Sequence, residues 1–249
     1  MVVDLNCDMG EGVPTDASIM PLITSANVAC GFHASDPATM RRTVRLAREH
    51  GVAVGAHPSF PDRAGFGRRF MAASPDEVRD DVTYQIGALW AFCQAEGVRL
   101  THVKAHGALY NAAAEDEGLA RALCEAARGV DPSLAVVCLA RSRMVEVVRS
   151  LGMRCVEEVF ADRAYTRSGA LVSRRLPGAV LHDPAEVAER ASRMVRERRV
   201  ISIDGAPVEL EPHTLCLHGD TAGADDLVRA IRRRLEADGV AIRAFSRPA

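Results

Sequence analysis

Lysine is almost missing from this chain. Among 249 residues there are 31 Lys plus Arg, and Lys104 is the one lysine. Asparagine is nearly as scarce, present as Asn6, Asn27 and Asn111. Neither sign of charge dominates: 31 basic residues against 33 acidic give a net charge of −2, which excludes a strongly basic nucleic-acid binder and an acidic disordered chain. No apolar run approaches the roughly 18 residues a membrane helix needs. The N-terminus, MVVDLNCDMG, lacks the basic segment and apolar stretch of a secretory signal. The seven cysteines contain no C-x-x-C pair and read as reduced, mostly buried thiols. A cytoplasmic protein without nucleic-acid or membrane partners is therefore expected. There is no GxxxxGK[ST] phosphate loop, and no glycine-rich dinucleotide turn follows the first apolar run.

Low-complexity tracts, flexible linkers and strong repeats are also lacking, so residues 1–249 are expected to form a single catalytic β/α barrel domain. Apolar runs rich in Val, Leu, Ile and Cys lie at 2–7, 25–30, 52–57, 99–105, 134–139, 154–159 and 214–218. Their near-continuous apolar character fits strands buried on both faces, as in a parallel sheet covered by helices. Helix starts fall between them: Asp36-Pro37, the capping box Ser74-Pro75-Asp76-Glu77, and Asp183-Pro184-Ala185-Glu186. A further helix spans about 222–238 and stops at Gly239. The Asp204-Gly205 pair predicts a small β-hairpin insertion near 200–210. The fold class is thus α/β: an irregular seven-stranded β/α barrel first, an open doubly wound sheet second.

Polar residues gather at the C-terminal ends of these runs, the edge that carries the active site in a parallel β/α fold. Asp4, Asn6 and Asp8 alternate along the first run, and His102, Lys104 and His106 along the fourth. Strand periodicity puts each set on one face. The third run ends in His57 and the last in His218. Asp4 and His102 lie deepest and suit hydrogen-bonded core roles as well as chemical ones. Asp8, His33, His57, Lys104, His106 and His218 together point to a functional pocket. A divalent metal there would take Asp8, His33 and His57, although the same groups suit acid–base work. In a chain that otherwise uses arginine, Lys104 is a candidate for a task a guanidinium cannot perform. Protonated imidazoles on either side would lower its pKa. Two long loops, 57–69 and 160–178, carry arginines suited to a carboxylate, and the second has the length of a lid.

These residues make the chain recognisable. The blocks Asp4–Gly12, Ser25–His33, GAHPSFPDRAGFGRR (55–69), HVKAHGALYN (102–111), FADRAY (160–165) and CLHGDT (216–221) resemble the LamB/YcsF family of 5-oxoprolinase A subunits. The resemblance spans nearly the whole chain. It departs at Ala105, where the family usually has Pro, at Val13-Pro14 in place of Phe-Gly, and at Ser168, where Asp is usual. It implies a barrel related to the polysaccharide deacetylases. It also implies ATP-dependent hydrolysis of 5-oxo-L-proline to L-glutamate, with ATP as cosubstrate and with subunits B and C as partners. The expected catalytic residues are Asp8 or His106 as general base, and Lys104 with His57 or His218 as electrostatic stabiliser or acid. The expected substrate contacts are Asn6, Glu11, Asn27, His33, Arg63, Arg69, Tyr110, Asn111, Asp162 and Arg163. Two other functions compete: a stand-alone metal-dependent amide hydrolase or sugar deacetylase, and a non-catalytic lactam-binding subunit.

Overall fold

Seven parallel strands close on themselves. In the computed structural model, which describes residues 1–217 and 223–246, they are β1 (Val2–Met9), β2 (Ser25–Ala29), β3 (Ala53–His57), β4 (Leu100–Val103), β5 (Ala135–Leu139), β6 (Cys155–Phe160) and β9 (Thr214–Leu217). Each pairs in parallel with the next, and β9 pairs with both β6 and β1, which closes the barrel. Closure explains the apolar runs, since one strand face fills the lumen and the other meets the helices. Leu5, Val28, Val54 and Val103 are fully buried.

The expected hairpin is present as β7 (Arg199–Ile201) and β8 (Pro207–Glu209), paired antiparallel. A two-residue strand, β10 (Ala241–Ile242), extends the sheet beside Val2 and Val3 and has no counterpart among the expected runs. The helices are α1 (Asp16–Ile19), α2 (Pro37–Glu49), α3 (Pro75–Ala95), α4 (Gly107–Glu115), α5 (Glu117–Val130), α6 (Arg143–Ser150), α7 (Pro184–Glu197) and α8 (Ala224–Ala237). Three start where their caps predict. Asp36 accepts from the Thr39 amide, Ser74 and Glu77 form a reciprocal box, and Asp183 accepts from the Glu186 amide. Among the described residues no helix is long and apolar enough to cross a membrane.

Register brings the polar residues to one mouth. Asp8 lies beside Asn27, Ala29 beside His57, and Asn6 beside both Ser25 and Cys216. The segment after β6 folds over that mouth, held by isolated bridges Arg163–Val180 and Tyr165–Leu171. Tyr165 is fully buried beneath it, its hydroxyl accepting from the Phe160 amide at 2.8 Å.

Candidate active site

The lumen below the mouth is a polar ladder. Asp4 accepts from the hydroxyls of Thr24, Ser25 and Thr214. Above it, Asn6 donates to Thr214 Oγ1 (2.7 Å) and Glu158 Oε1 (2.9 Å) and accepts from Asn27 (2.8 Å). Asn27 also donates to Asp8 (2.9 Å) and meets His102 Nε2 at 2.9 Å. Gly55 makes room for that imidazole, since a Cβ at this position would lie 2.1 Å from His102 Nε2. Asn6, Asn27 and His102 therefore orient the groups above them from inside the barrel, and none of the three lines the cavity.

Burial raises Asp4 from 3.8 to about 6, against the three hydroxyl donors. The folded state thus binds a proton more tightly than the unfolded chain. The benefit is full at low pH and is lost as pH rises from about 4 to about 6, roughly 3 kcal/mol in all. Replacing Asp4 by Asn should remove that slope. Denaturation of both proteins between pH 4 and 7 should show their stability difference shifting by this amount in favour of Asp4→Asn. Parallel curves would place the proton elsewhere.

Lys104 is at the centre of the site. Its ammonium, 3% exposed, lies 3.0 Å from Asp8 Oδ1, 2.9 Å from Glu158 Oε1, 3.3 Å from Asn6 Oδ1 and 3.1 Å from Cys216 Sγ. Burial opposes the charge, but the carboxylates of Asp8 and Glu158 outweigh it and hold the pKa well above the ordinary lysine value. This corrects the expectation of a lowered pKa: the contacts that matter are anionic, and Lys104 is a permanent cation. Four acceptors around a compact ammonium explain why arginine has not replaced it. Burial likewise raises Asp8, yet His57 and Lys104 together hold its carboxyl well below the usual range.

Glu158 is a site residue that the sequence does not single out. It is fully buried and also accepts from the Tyr110 hydroxyl at 2.7 Å. Burial and this carboxylate push the Tyr110 phenol well above its ordinary pKa, so it stays a donor. The signal that could have found it is parity: Glu158 shares a strand face with Phe160, and Glu157 points to the other side, where it pairs with Arg149 at 2.7 Å.

Beside Lys104, Glu11, His33, His57 and His106 each bring a ligand atom within 4.8 Å of the others. His57 Nδ1 lies 2.8 Å from the Lys104 carbonyl, and His106 Nε2 lies 2.9 Å from the Phe66 carbonyl. A carbonyl can only accept, so both nitrogens carry hydrogen. The opposite nitrogens, His57 Nε2 and His106 Nδ1, face each other at 2.9 Å, a distance that needs a proton or a cation between them. Asp8 Oδ2 is 3.3 Å from the first, and Glu11 Oε1 is 3.3 Å from the second. Burial first, and neighbouring imidazoles second, lower His33 to about 3 and His106 to about 2, so both are neutral ligand-type imidazoles at neutral pH. His33 stacks on His106 at 3.8 Å with Nε2 3.0 Å from Glu11, and its buried Nδ1 has no hydrogen-bond partner. Converging lone pairs and carboxylates are the environment of a divalent cation. The carboxylate within this group is Glu11. Asp8, expected in that place, reaches it through His57.

Gly67 seals the cluster. It has φ +65°, and a Cβ there would sit 2.8 Å from His106 Cδ2 and 2.9 Å from His33 Cβ. The arginines of the same loop divide. Arg63 donates to the carbonyls of Gly31 and Ser35, and Arg69 pairs with Asp62. Both hold the loop and lie off the cavity, whereas Arg68 lines it. Asp62 falls to about 2 through its hydrogen bonds from Arg69. The cavity measures about 840 Å³. Asp8, Glu11, His57, Lys104 and His106 line it, and so do Tyr110, Asn111 and Arg163. Asp162 does not, and His218 lies outside the described residues.

The chain is a closed β/α barrel with a histidine–carboxylate group at its mouth, and the barrel fold recurs among solved structures. A family 4 carbohydrate esterase from Streptomyces lividans shares this architecture with TM-score 0.53 over 98% of this chain and 93% of that one, at 13% identity. Within that fold, the chain belongs to the LamB/YcsF family, whose model matches residues 3–249. It is 52% identical to the 5-oxoprolinase A subunit of Pyrococcus furiosus over 97% of each chain. The corresponding protein of Rhodopseudomonas palustris is 50% identical over 99% of each. The crystal structure of a lactam utilization protein from Thermus thermophilus superposes with TM-score 0.94, covering 98% of this chain and 100% of that one at 51% identity.

Proposed function

We propose that this chain is the lactam-opening subunit of a 5-oxoprolinase. In this reading it converts 5-oxo-L-proline to L-glutamate at the expense of ATP, together with subunits B and C. The convergence of Asp8, Glu11, His57, Lys104 and His106 on one cavity carries the reading, and the names of the half-identical relatives support the substrate. The absence of a phosphate-loop sequence fits a division of labour in which the partners handle ATP.

A lactam amide is too unreactive for direct attack by water at useful rates. Transfer of the ATP γ-phosphoryl group to the ring carbonyl oxygen activates it. Water then adds to that carbon, the C–N bond breaks, and the nitrogen takes a proton. The resulting acyl phosphate is cleaved by a second water to glutamate and phosphate. Lys104 provides a fixed positive charge where negative charge develops, and Glu158, Asn6 and Tyr110 keep it in place. The depressed pKa values of Asp8 and His106 make both weak bases, so in this reading Asp8 is an electrostatic anchor and His106 a ligand. Glu11, His33, His57 and His106 would hold a divalent cation, which supplies Lewis acidity toward a carbonyl or water.

The test is reconstitution of the purified subunits with 5-oxoproline and ATP, following glutamate and phosphate. Glutamate should form only in the full mixture, and His57→Ala should lower its rate by roughly 100-fold or more. Full turnover with that variant would leave the chain a lactam-presenting role only. The histidine–carboxylate group favours one alternative, a stand-alone metal-dependent amide hydrolase. Chelator-sensitive hydrolysis without ATP or partners would establish it.

A further inference from the structure

The cavity is chemically two-ended. Its inner end holds Asp8, Glu11 and the imidazoles, and its outer wall carries Arg141, Arg143, Arg163, Arg174 and Arg175. Arg143 is already paired with Glu117 at 2.9 Å. Arg141 and Arg163 spend their donors on carbonyls instead: Arg141 on Glu209, and Arg163 on Val172 and Ala179. Arg163 is 7% exposed, and burial and the adjacent Arg174 charge together lower its pKa to about 10. Arg163 and Arg174 thus lie close together in this wall, with the Asp162 carboxylate offsetting part of their charge.

Two further features lie on the same wall. Arg141 has φ +65°, a backbone state that costs a non-glycine residue energy and that marks sites where the surroundings enforce it. Next to it, the eight-residue helix α6 starts at Ser142, which makes no side-chain cap. Its Oγ is shielded from solvent and has no partner. A helix N-terminus adds positive potential and unpaired N–H donors to the arginines.

We propose that this outer wall is a subsite for a phosphoryl dianion, gripped by Arg141, Arg163 and the Ser142 end of α6. A lone carboxylate needs one guanidinium, and the charge assembled here exceeds that. The volume agrees: about 840 Å³ is the size of pockets that enclose drug-sized ligands, far beyond a five-membered lactam. The subsite rests on the proposed function only for the origin of the phosphoryl group, which remains on the substrate until the last hydrolytic step of that scheme.

The probe is inorganic phosphate, titrated into the isolated chain by calorimetry and by phosphorus NMR, with and without chelator. The expected result is saturable one-to-one binding that survives chelation. It should be displaced by sulfate but not by acetate, and should weaken at least tenfold in Arg141→Ala/Ser142→Ala. Arg175→Ala, at the exposed rim, gives a second variant with little risk to folding and should weaken it severalfold. Arg193→Ala, on the outer face of α7, should leave it unchanged. Non-saturable binding, binding lost on chelation, equal competition by acetate, or indifference to the wall variants would each overturn the subsite. Phosphate binding is read without turnover, so these failures leave the ATP-coupled reaction to be judged by reconstitution alone.

Discussion

Replacing Lys104 by Met lowers folding stability by about 3–5 kcal/mol and abolishes turnover in the reconstituted enzyme. The ammonium lies between Asp8 and Glu158, each within about 3.0 Å, at 3% exposure. Without it, the buried Glu158 carboxylate confronts that of partly buried Asp8, with His57 left beside Asp8. Adding Glu158→Gln to Lys104→Met removes one of those charges and should restore much of the lost stability, but not the activity. Lys104→Arg keeps the charge but offers a planar fork to acceptors arranged around a point. It should cost a smaller ~1–3 kcal/mol through overpacking, and turnover should still fall by roughly 100-fold. Urea denaturation and glutamate production measure the two effects separately. A Lys104→Met protein as stable as the parent would show that the pair is not buried as described.

The second large effect concerns the imidazole cluster. Metal analysis of the purified chain should find about one divalent ion per chain, and His106→Ala or Glu11→Gln should abolish its retention. Turnover should fall by roughly 100-fold or more in either variant and on chelation, and readdition of the metal should restore only the parent protein. The reason is the pair of carbonyls at Lys104 and Phe66, which turns His57 Nε2 and His106 Nδ1 toward each other at 2.9 Å. A proton or a cation must lie in that contact. Normal activity in a protein free of metal would show that a shared proton suffices.

Most of the barrel is legible in the sequence because a strand buried on both faces must be apolar at nearly every position, and seven such runs stand out. Period-two alternation likewise places Asp8, Lys104 and His106 at one edge without knowledge of the fold. Legibility fails where periodicity fails. Loop 57–69 has no repeat, so nothing distinguishes Arg68, which lines the cavity, from Arg63 and Arg69, which hold the loop. Adjacent Glu157 and Glu158 look like surface charge; strand parity puts them on opposite faces, and closure of the barrel shows which one faces the lumen. The sign of the Lys104 shift is equally hidden, since it depends on contact with carboxylates 96 and 54 positions away in the chain rather than with the nearby imidazoles. The β10 strand is two residues long, too short for any pattern to reveal.

The most direct measurement is anomalous diffraction from crystals grown with zinc. A single strong peak among Glu11, His33, His57 and His106, with His57 and His106 still hydrogen-bonded to the Lys104 and Phe66 carbonyls, is the predicted outcome. An empty cluster in crystals whose protein remains fully active with its partners would contradict it.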